Sequence, residues 1–285
     1  MTVAIIGAGD LGGAVAHALA RRELATRVTL IDAAGNAAAG KALDMAQAGA
    51  IEGFGTALSG TRDVTRAIGC RVCVVADRFG PGSPEWQGED GYAHLLRVSQ
   101  MLPDVPMVFA GAQQASLIAQ LARDAAIART RLIGSAPEAL ASAIRSIVAM
   151  EARCSPAEVG LTVLGAPPSG FVVPWSEASI GGYALEHALS QVQITRITAR
   201  ATRLWPPGPM VLGQAAACVA AGILHGARRA FSVLTPLTGE FGVRGRVAAV
   251  PALLAAPGIV ATRVPSLSVR ERVEVESALS SRSNG

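Results

Sequence analysis

The sequence predicts an α/β protein: a doubly wound parallel sheet over residues 1–134, followed by an α+β half over residues 135–285. Three observations carry that expectation. A short apolar run, "VAIIG" (3–7), breaks on glycines, after which Leu11, Ala14, Val15, Ala18 and Leu19 recur at the spacing of one buried helix face. Strand and helix patterns then alternate as far as residue 134, and strands joined by helix-length crossovers imply a parallel sheet covered on both faces. Beyond that point strand-like segments cluster and helices stand apart, which is the α+β pattern.

In chain order, "RVTLID" (27–32) reads as the second strand and "NAAAGKALDMAQAG" (36–49) as a helix. A strand follows at "CRVCVVA" (70–76), a helix near 90–101, a strand at "VPMVFA" (105–110), a helix over 113–125 and a short strand at "RLIG" (131–134). Ser135, Pro137 and Glu138 then make a helix start, since proline is tolerated in a first helical turn, and Leu140, Ile144, Ile147 and Val148 supply its apolar stripe. The second half offers strand-like segments at 158–164, 170–174, 231–237, 246–250 and 258–264, with helical stretches at 184–203 and 209–229. Ser268 and Glu271 form a capping box for a last helix, and the tail SSRSNG has no apolar residue to dock, so disorder is expected there. There is no internal repeat and no low-complexity linker.

At 285 residues, 51% hydrophobic and 16% charged, the chain can bury a sizeable core. Its net charge of +4 is scattered and carried almost wholly by arginine, with Lys41 the only lysine, so no concentrated footprint for nucleic acid exists. No charged segment precedes an apolar stretch at the start, and the longest apolar runs fall short of a bilayer span. The expectation is a soluble, cytoplasmic protein without a membrane partner. Cys70 and Cys73 form a CxxC, but as part of a strand they would point to opposite faces and no second cysteine or histidine pair completes a metal site.

"GAGDLG" places Gly7, Gly9 and Gly12 as G-x-G-x-x-G between a strand and a helix, the context a Rossmann-type dinucleotide turn requires. Gly7 permits the turn, Gly9 lets the backbone approach a pyrophosphate, and Gly12 lets helix and strand pack closely. The candidate cofactor residues are Gly7, Ala8, Gly9, Asp10, Leu11 and Gly12 around the helix N-terminus, with Ala76 at the end of a neighbouring strand. Asp32 lies twenty residues past Gly12 (32 − 12) at the end of the second strand, where a carboxylate accepts from ribose hydroxyls and repels a 2′-phosphate. NAD is therefore the expected cofactor. The competing reading is a glycine turn kept only for helix packing.

Taken with "LID", "GKALDMAQAG", "TPLTGEFGV" (235–243), "VPALLAAPGIV" (250–260) and "ESALS" (276–280), this motif makes the whole chain resemble the lactate/malate dehydrogenase family. The resemblance implies a homodimer or homotetramer, with 40–49 similar to the family's interface helix. It also implies a catalytic histidine, an aspartate that orients it, and arginines that clamp a substrate carboxylate. By position these fall on inert residues. The histidine's place is Pro167, within Gly165–Gly170, and matching Arg145 to the last arginine of the family's helix motif puts Leu140 at the aspartate and Ala143 at the arginine. Glu138 lies two residues early, about 200° round the helix. The loop 78–97 has no arginine between Arg78 and Arg97 and is acidic at Glu85, Glu89 and Asp90, while Gly111 stands at a nicotinamide-side asparagine and Asp77 at a glycine. His17, His94, His187 and His225 lie on helices, His94 being the one a closing loop would bring inward.

Three readings follow. The first is an NAD(H)-binding relative without 2-hydroxy-acid dehydrogenase activity, a pseudoenzyme with no catalytic residues of its own. The second is an NAD-dependent oxidoreductase whose neutral or cationic substrate suits the acidic loop, and the third a structural partner of an active relative.

Overall fold

The computed structural model describes residues 1–82, 84–168 and 170–280. The first half contains β1 (Thr2–Ile6), α1 (Asp10–Arg21), β2 (Arg27–Ile31), α2 (Gly35–Glu52), β3 (Ala57–Thr61), β4 (Val72–Val75), α3 (Gly88–Met101), β5 (Met107–Phe109), α4 (Ala115–Asp124) and β6 (Leu132–Gly134). These six strands run parallel in the order β3-β2-β1-β4-β5-β6, so the chain winds outward in both directions from the β1/β4 junction. Ligand crevices of such sheets open at the carboxyl ends of the strands beside that junction, which is where Gly7 and Ala76 lie.

The strand β3 carries no apolar signature. Its sequence ALSGT is partly exposed throughout, and it is held by five-residue pairing with β2 and by the close approach of α2, whose Ala38 backbone fills the space a side chain at Gly60 would need.

The second half adds α5 (Ala136–Ala152), β7 (Val159–Gly160), β8 (Leu164–Ala166), β9 (Gly170–Val172), β10 (Ser179–Ile180), β11 (Tyr183–Ala184), α6 (Gln191–Ala201), α7 (Pro209–His225), β12 (Phe231–Thr238), β13 (Arg244–Ala255), β14 (Gly258–Thr262) and α8 (Val269–Ser280). The strand expected over 158–164 is split in two, because Val163 turns its N–H to the Ser232 hydroxyl (2.9 Å) instead of a ladder. The helix expected from 184 begins only at Gln191, where Ser190 and Gln193 form a reciprocal capping box. The capping box at Ser268 and Glu271 is present (2.7 Å between side chains), and Glu271 also accepts from Ser176. The last five residues of the tail lie outside the described residues.

β12 joins the parallel sheet antiparallel to β6 through Leu234 and Gly134, and β13, β8, β9 and β14 extend it to eleven strands. One apolar core crosses both halves: Leu11 and Val15 of α1 share it with Ala216 and Val219 of α7, Phe231 and Leu254. Cys70 and Cys73 do not face apart as expected. Cys70 precedes β4, so the strand alternation does not apply to it, and both thiols are buried in one cluster with Met107 and Phe109. Burial lifts the Cys70 thiol to about 11, which makes it an inert packing group at neutral pH.

Candidate functional site

β1 delivers Gly7, Ala8 and Gly9 to the N-terminus of α1. Gly7 takes φ +111° and donates to the Ile31 carbonyl (2.7 Å), and a side chain at Gly12 would collide with the Gly7 carbonyl. The turn and the close packing that the glycines were expected to provide are thus both in place. No side chain of the N-cap residue, Gly9, satisfies the first N–H groups of α1. A carboxylate from elsewhere does so: Leu11 N–H donates to Asp77 Oδ2 (3.0 Å) and Gly12 N–H to Asp77 Oδ1 (2.8 Å). Gly9 N–H donates to the Asp77 carbonyl (3.1 Å), and a Cβ on Gly9 would run into the Asp77 carboxylate. Asp77 lies two residues past the end of β4, directly after Ala76, and only 3% of it is exposed. Burial raises the Asp77 pKa, against the pull of the two N–H groups and of Lys41.

Asp32, at the end of β2, is also engaged. Its Oδ2 accepts from Ala8 N–H (2.9 Å) and Phe79 N–H (2.9 Å), and its Oδ1 from Ala34 N–H (2.9 Å). Lys41 of α2 donates to the Gly9 carbonyl (2.7 Å), lies 3.7 Å from the Asp10 carboxylate and 5.7 Å from the Phe79 ring centre. This cation at the rim of the anion cradle escaped the sequence reading, although its being the chain's single lysine was a visible signal.

An antiparallel bridge joins Asp77 to Glu85, with Arg78 N–H donating to the Pro84 carbonyl (2.9 Å). Glu85 therefore points inward: its carboxylate accepts from Ala112 N–H and Gln113 N–H (2.9 Å each) and fills the space any side chain at Gly111 would need. An acidic loop surface keeps only Glu89 and Asp90, both exposed in the first turn of α3, where the helix dipole favours them. His94 stacks on Trp86 (4.3 Å between ring centres) with Arg78 over the same indole, and burial holds its pKa below the ordinary histidine value.

The positions where proton transfer and carboxylate binding would be sought hold no polar side chain. Pro167 follows β8, and Leu140 and Ala143 lie on α5 with Leu140 fully buried. Glu138 is buried too, but it accepts from Arg145 (2.9 Å), Arg229 (3.0 Å) and Ser232 N–H (3.0 Å), so it ties α5 to β12. His17 pairs with Glu52 (3.1 Å) and His225 meets the Leu24 carbonyl (3.0 Å), while His187 ends a short 3₁₀ turn. A cleft of about 900 Å³ lies away from the cradle, lined by Arg145, Glu158, Arg229 and Arg263, and Glu138 already pairs with two of those arginines.

A dinucleotide pyrophosphate matches the cradle in donor type, in the absent side chain of Gly9 and in the nearby cation of Lys41. Two of its N–H donors are nevertheless held by Asp77, so the match requires that carboxylate to leave.

Comparison with known proteins gives the same outline. Residues 1–79 match the family described as lactate/malate dehydrogenase, NAD binding domain. Malate dehydrogenase 2 of Rhodopseudomonas palustris (strain BisB18) is 27% identical over 282 residues, covering 90% of this chain and 87% of the relative. A malate dehydrogenase of Thioalkalivibrio sulfidiphilus (strain HL-EbGR7) is 27% identical over 294 residues, covering 97% and 95%. Among solved structures, malate dehydrogenase from Salinibacter ruber superposes with a TM-score of 0.85 at 23% identity, covering 98% of this chain and 94% of that one. The lactate dehydrogenase of Cryptosporidium parvum, complexed with lactic acid and nicotinamide adenine dinucleotide, gives 0.85 at 21% identity, covering 97% and 94%.

Proposed function

We infer, from the premise that this chain belongs to the lactate/malate dehydrogenase family, that it is an NAD(H)-binding member without the family's 2-hydroxy-acid dehydrogenase activity. The observation that carries this reading is an asymmetry between two sites. The glycine turn, the α1 donors, Asp32 and Lys41 stand together at the carboxyl ends of β1 and β2, whereas Pro167, Leu140 and Ala143 offer neither a proton nor a charge.

When bound, the nicotinamide would supply the hydride. The chain's own part would be the grip: Leu11 and Gly12 N–H on the pyrophosphate, Lys41 against its charge and Asp32 on the adenosine ribose. No residue at the Pro167, Leu140 or Ala143 positions can then move a proton or hold a carboxylate. Loss of the base alone lowers rates by roughly 10²- to 10⁴-fold. Purified protein given NADH with oxaloacetate or pyruvate is expected to show no turnover above background by loss of absorbance at the nicotinamide band. Rates of about 1–10³ s⁻¹, ordinary for enzymes, overturn the reading. A neutral or cationic substrate is less well supported, because Glu85 faces the 111–113 loop instead of a substrate.

The division into a dinucleotide-binding half and a second half is taken after Gly134, and the setting as cytoplasmic. The assembly is taken as a homodimer or homotetramer through α2, which leaves Leu43 61% and Ile51 90% exposed in the single chain. Light scattering on purified protein is expected to give at least twice the chain mass. A monomer at micromolar concentration removes the assembly from the proposal.

A further inference from the structure

The feature that the proposed function does not use is the carboxylate seated in its own cofactor cradle. We propose that Asp77 is an in-cis gate on the dinucleotide site: the chain closes its cofactor groove with this side chain, and a dinucleotide binds only by expelling it. The inference rests on the NAD(H) reading above and adds a mechanism of regulation to it.

Three properties of the site make Asp77 and a pyrophosphate alternatives. The first is donor count: each backbone N–H carries one hydrogen, and those of Leu11 and Gly12 already point at separate oxygens of the Asp77 carboxylate. The second is volume. The space left by the missing side chain of Gly9, which would let a phosphate approach the backbone, is filled by the same carboxylate. The third is charge: a pyrophosphate and Asp77 together would put like charges in one buried pocket whose nearby cation, Lys41, is already shared with Asp10. Helix N-termini accept phosphate and carboxylate for one reason, the unpaired N–H groups and the positive dipole end, so Asp77 is a chemical substitute for the ligand.

The closed arrangement is braced on both sides. Phe79 N–H, two residues on, donates to the same Asp32 oxygen that Ala8 N–H reaches, so the chain leaving β4 crosses the ribose end of the groove. At the other end the Asp77–Glu85 bridge and the hold of Glu85 on Ala112 and Gln113 fix the segment over the 111–113 loop. Opening requires Asp77 to surrender its two N–H partners to the incoming phosphates, which replace the bonds and pair with Lys41.

The test is calorimetric titration of NADH into the full-length wild type, Asp77→Gly and Asp77→Asn, each checked for folding by circular dichroism. Asp77→Gly removes the competitor outright, and Asp77→Asn keeps its volume while removing its charge, so the second remains informative if the first does not fold. Relief of a like-charge contact is expected to tighten binding by at least about tenfold in Asp77→Gly and by a smaller factor in Asp77→Asn. Equal affinity across folded variants and wild type overturns the gate and leaves the NAD(H) reading standing. Absence of binding by every folded protein at millimolar NADH overturns the NAD(H) reading, and the gate with it.

Discussion

Two carboxylates in this protein, Glu240 and Asp77, take their ionisation from the groups packed around them. Glu240 shows the pattern clearly. Burial alone would raise its pKa, but Thr238 N–H (2.7 Å), Arg129 (2.8 Å) and the Thr262 hydroxyl (2.9 Å) all favour the charged form and bring it down to about 2. A folded-state value below the unfolded one adds stability above the ordinary glutamate value of 4.5, and that stability is lost as pH falls through about 2. Glu240→Gln is expected to unfold at lower temperature at pH 7, by roughly 1–3 kcal/mol of stability, and to show a smaller acid dependence of its melting temperature than wild type. An unchanged acid limb would show that the carboxylate carries no such linkage. Asp77 is the opposite case at the same scale. The letter D after "VVA" was visible in the sequence, as were Pro167, Leu140 and Ala143, but its partners lie 66 and 65 residues earlier in the chain, at Leu11 and Gly12. Period and motif report what a segment is made of, and they carry no information on which distant N–H a carboxylate will find.

Elements were legible where burial imposes a period and illegible where pairing alone holds them. The apolar runs of β1, β2, β4 and β5 announce strands because both faces of a central parallel sheet are covered. β3 sits at the sheet edge with a mixed sequence, and β13 continues through twelve residues although only part of it reads as apolar. α1 and α7 illustrate a second limit, since their contact depends on small residues that give no strong signal. A Cβ on Gly213 would come within 2.6 Å of Ala14 Cβ and 2.9 Å of its carbonyl carbon, backbone that cannot step aside alone. Gly213→Ala should therefore destabilise by about 1–3 kcal/mol through overpacking, despite alanine's better helix propensity. Chemical denaturation measures this directly, and a variant as stable as wild type would mean the two helices separate freely.

Across the whole molecule the break in pattern near residue 135 coincides with no break in the sheet. β12 and β13 continue it beyond β6, and one core runs from α1 to α7. Resemblance supplied what periodicity could not, the pairing of two sequence-distant halves into one body, and the agreement in length with malate dehydrogenases on both sides of the comparison fits that continuity. The cradle inherits its rigidity from this arrangement, since α1 is clamped between β1 and α7.

Lys41 gives this architecture an unusual chemical property. With 25 basic residues of which it is the lone lysine, the chain owns one ε-amine, and that amine lies against the Gly9 carbonyl at the mouth of the groove, 30% exposed. An amine-directed acylating reagent consequently finds one ε-amine besides the α-amine of Met1, so a mark on that lysine is a spectator of the groove itself and not an average over the surface.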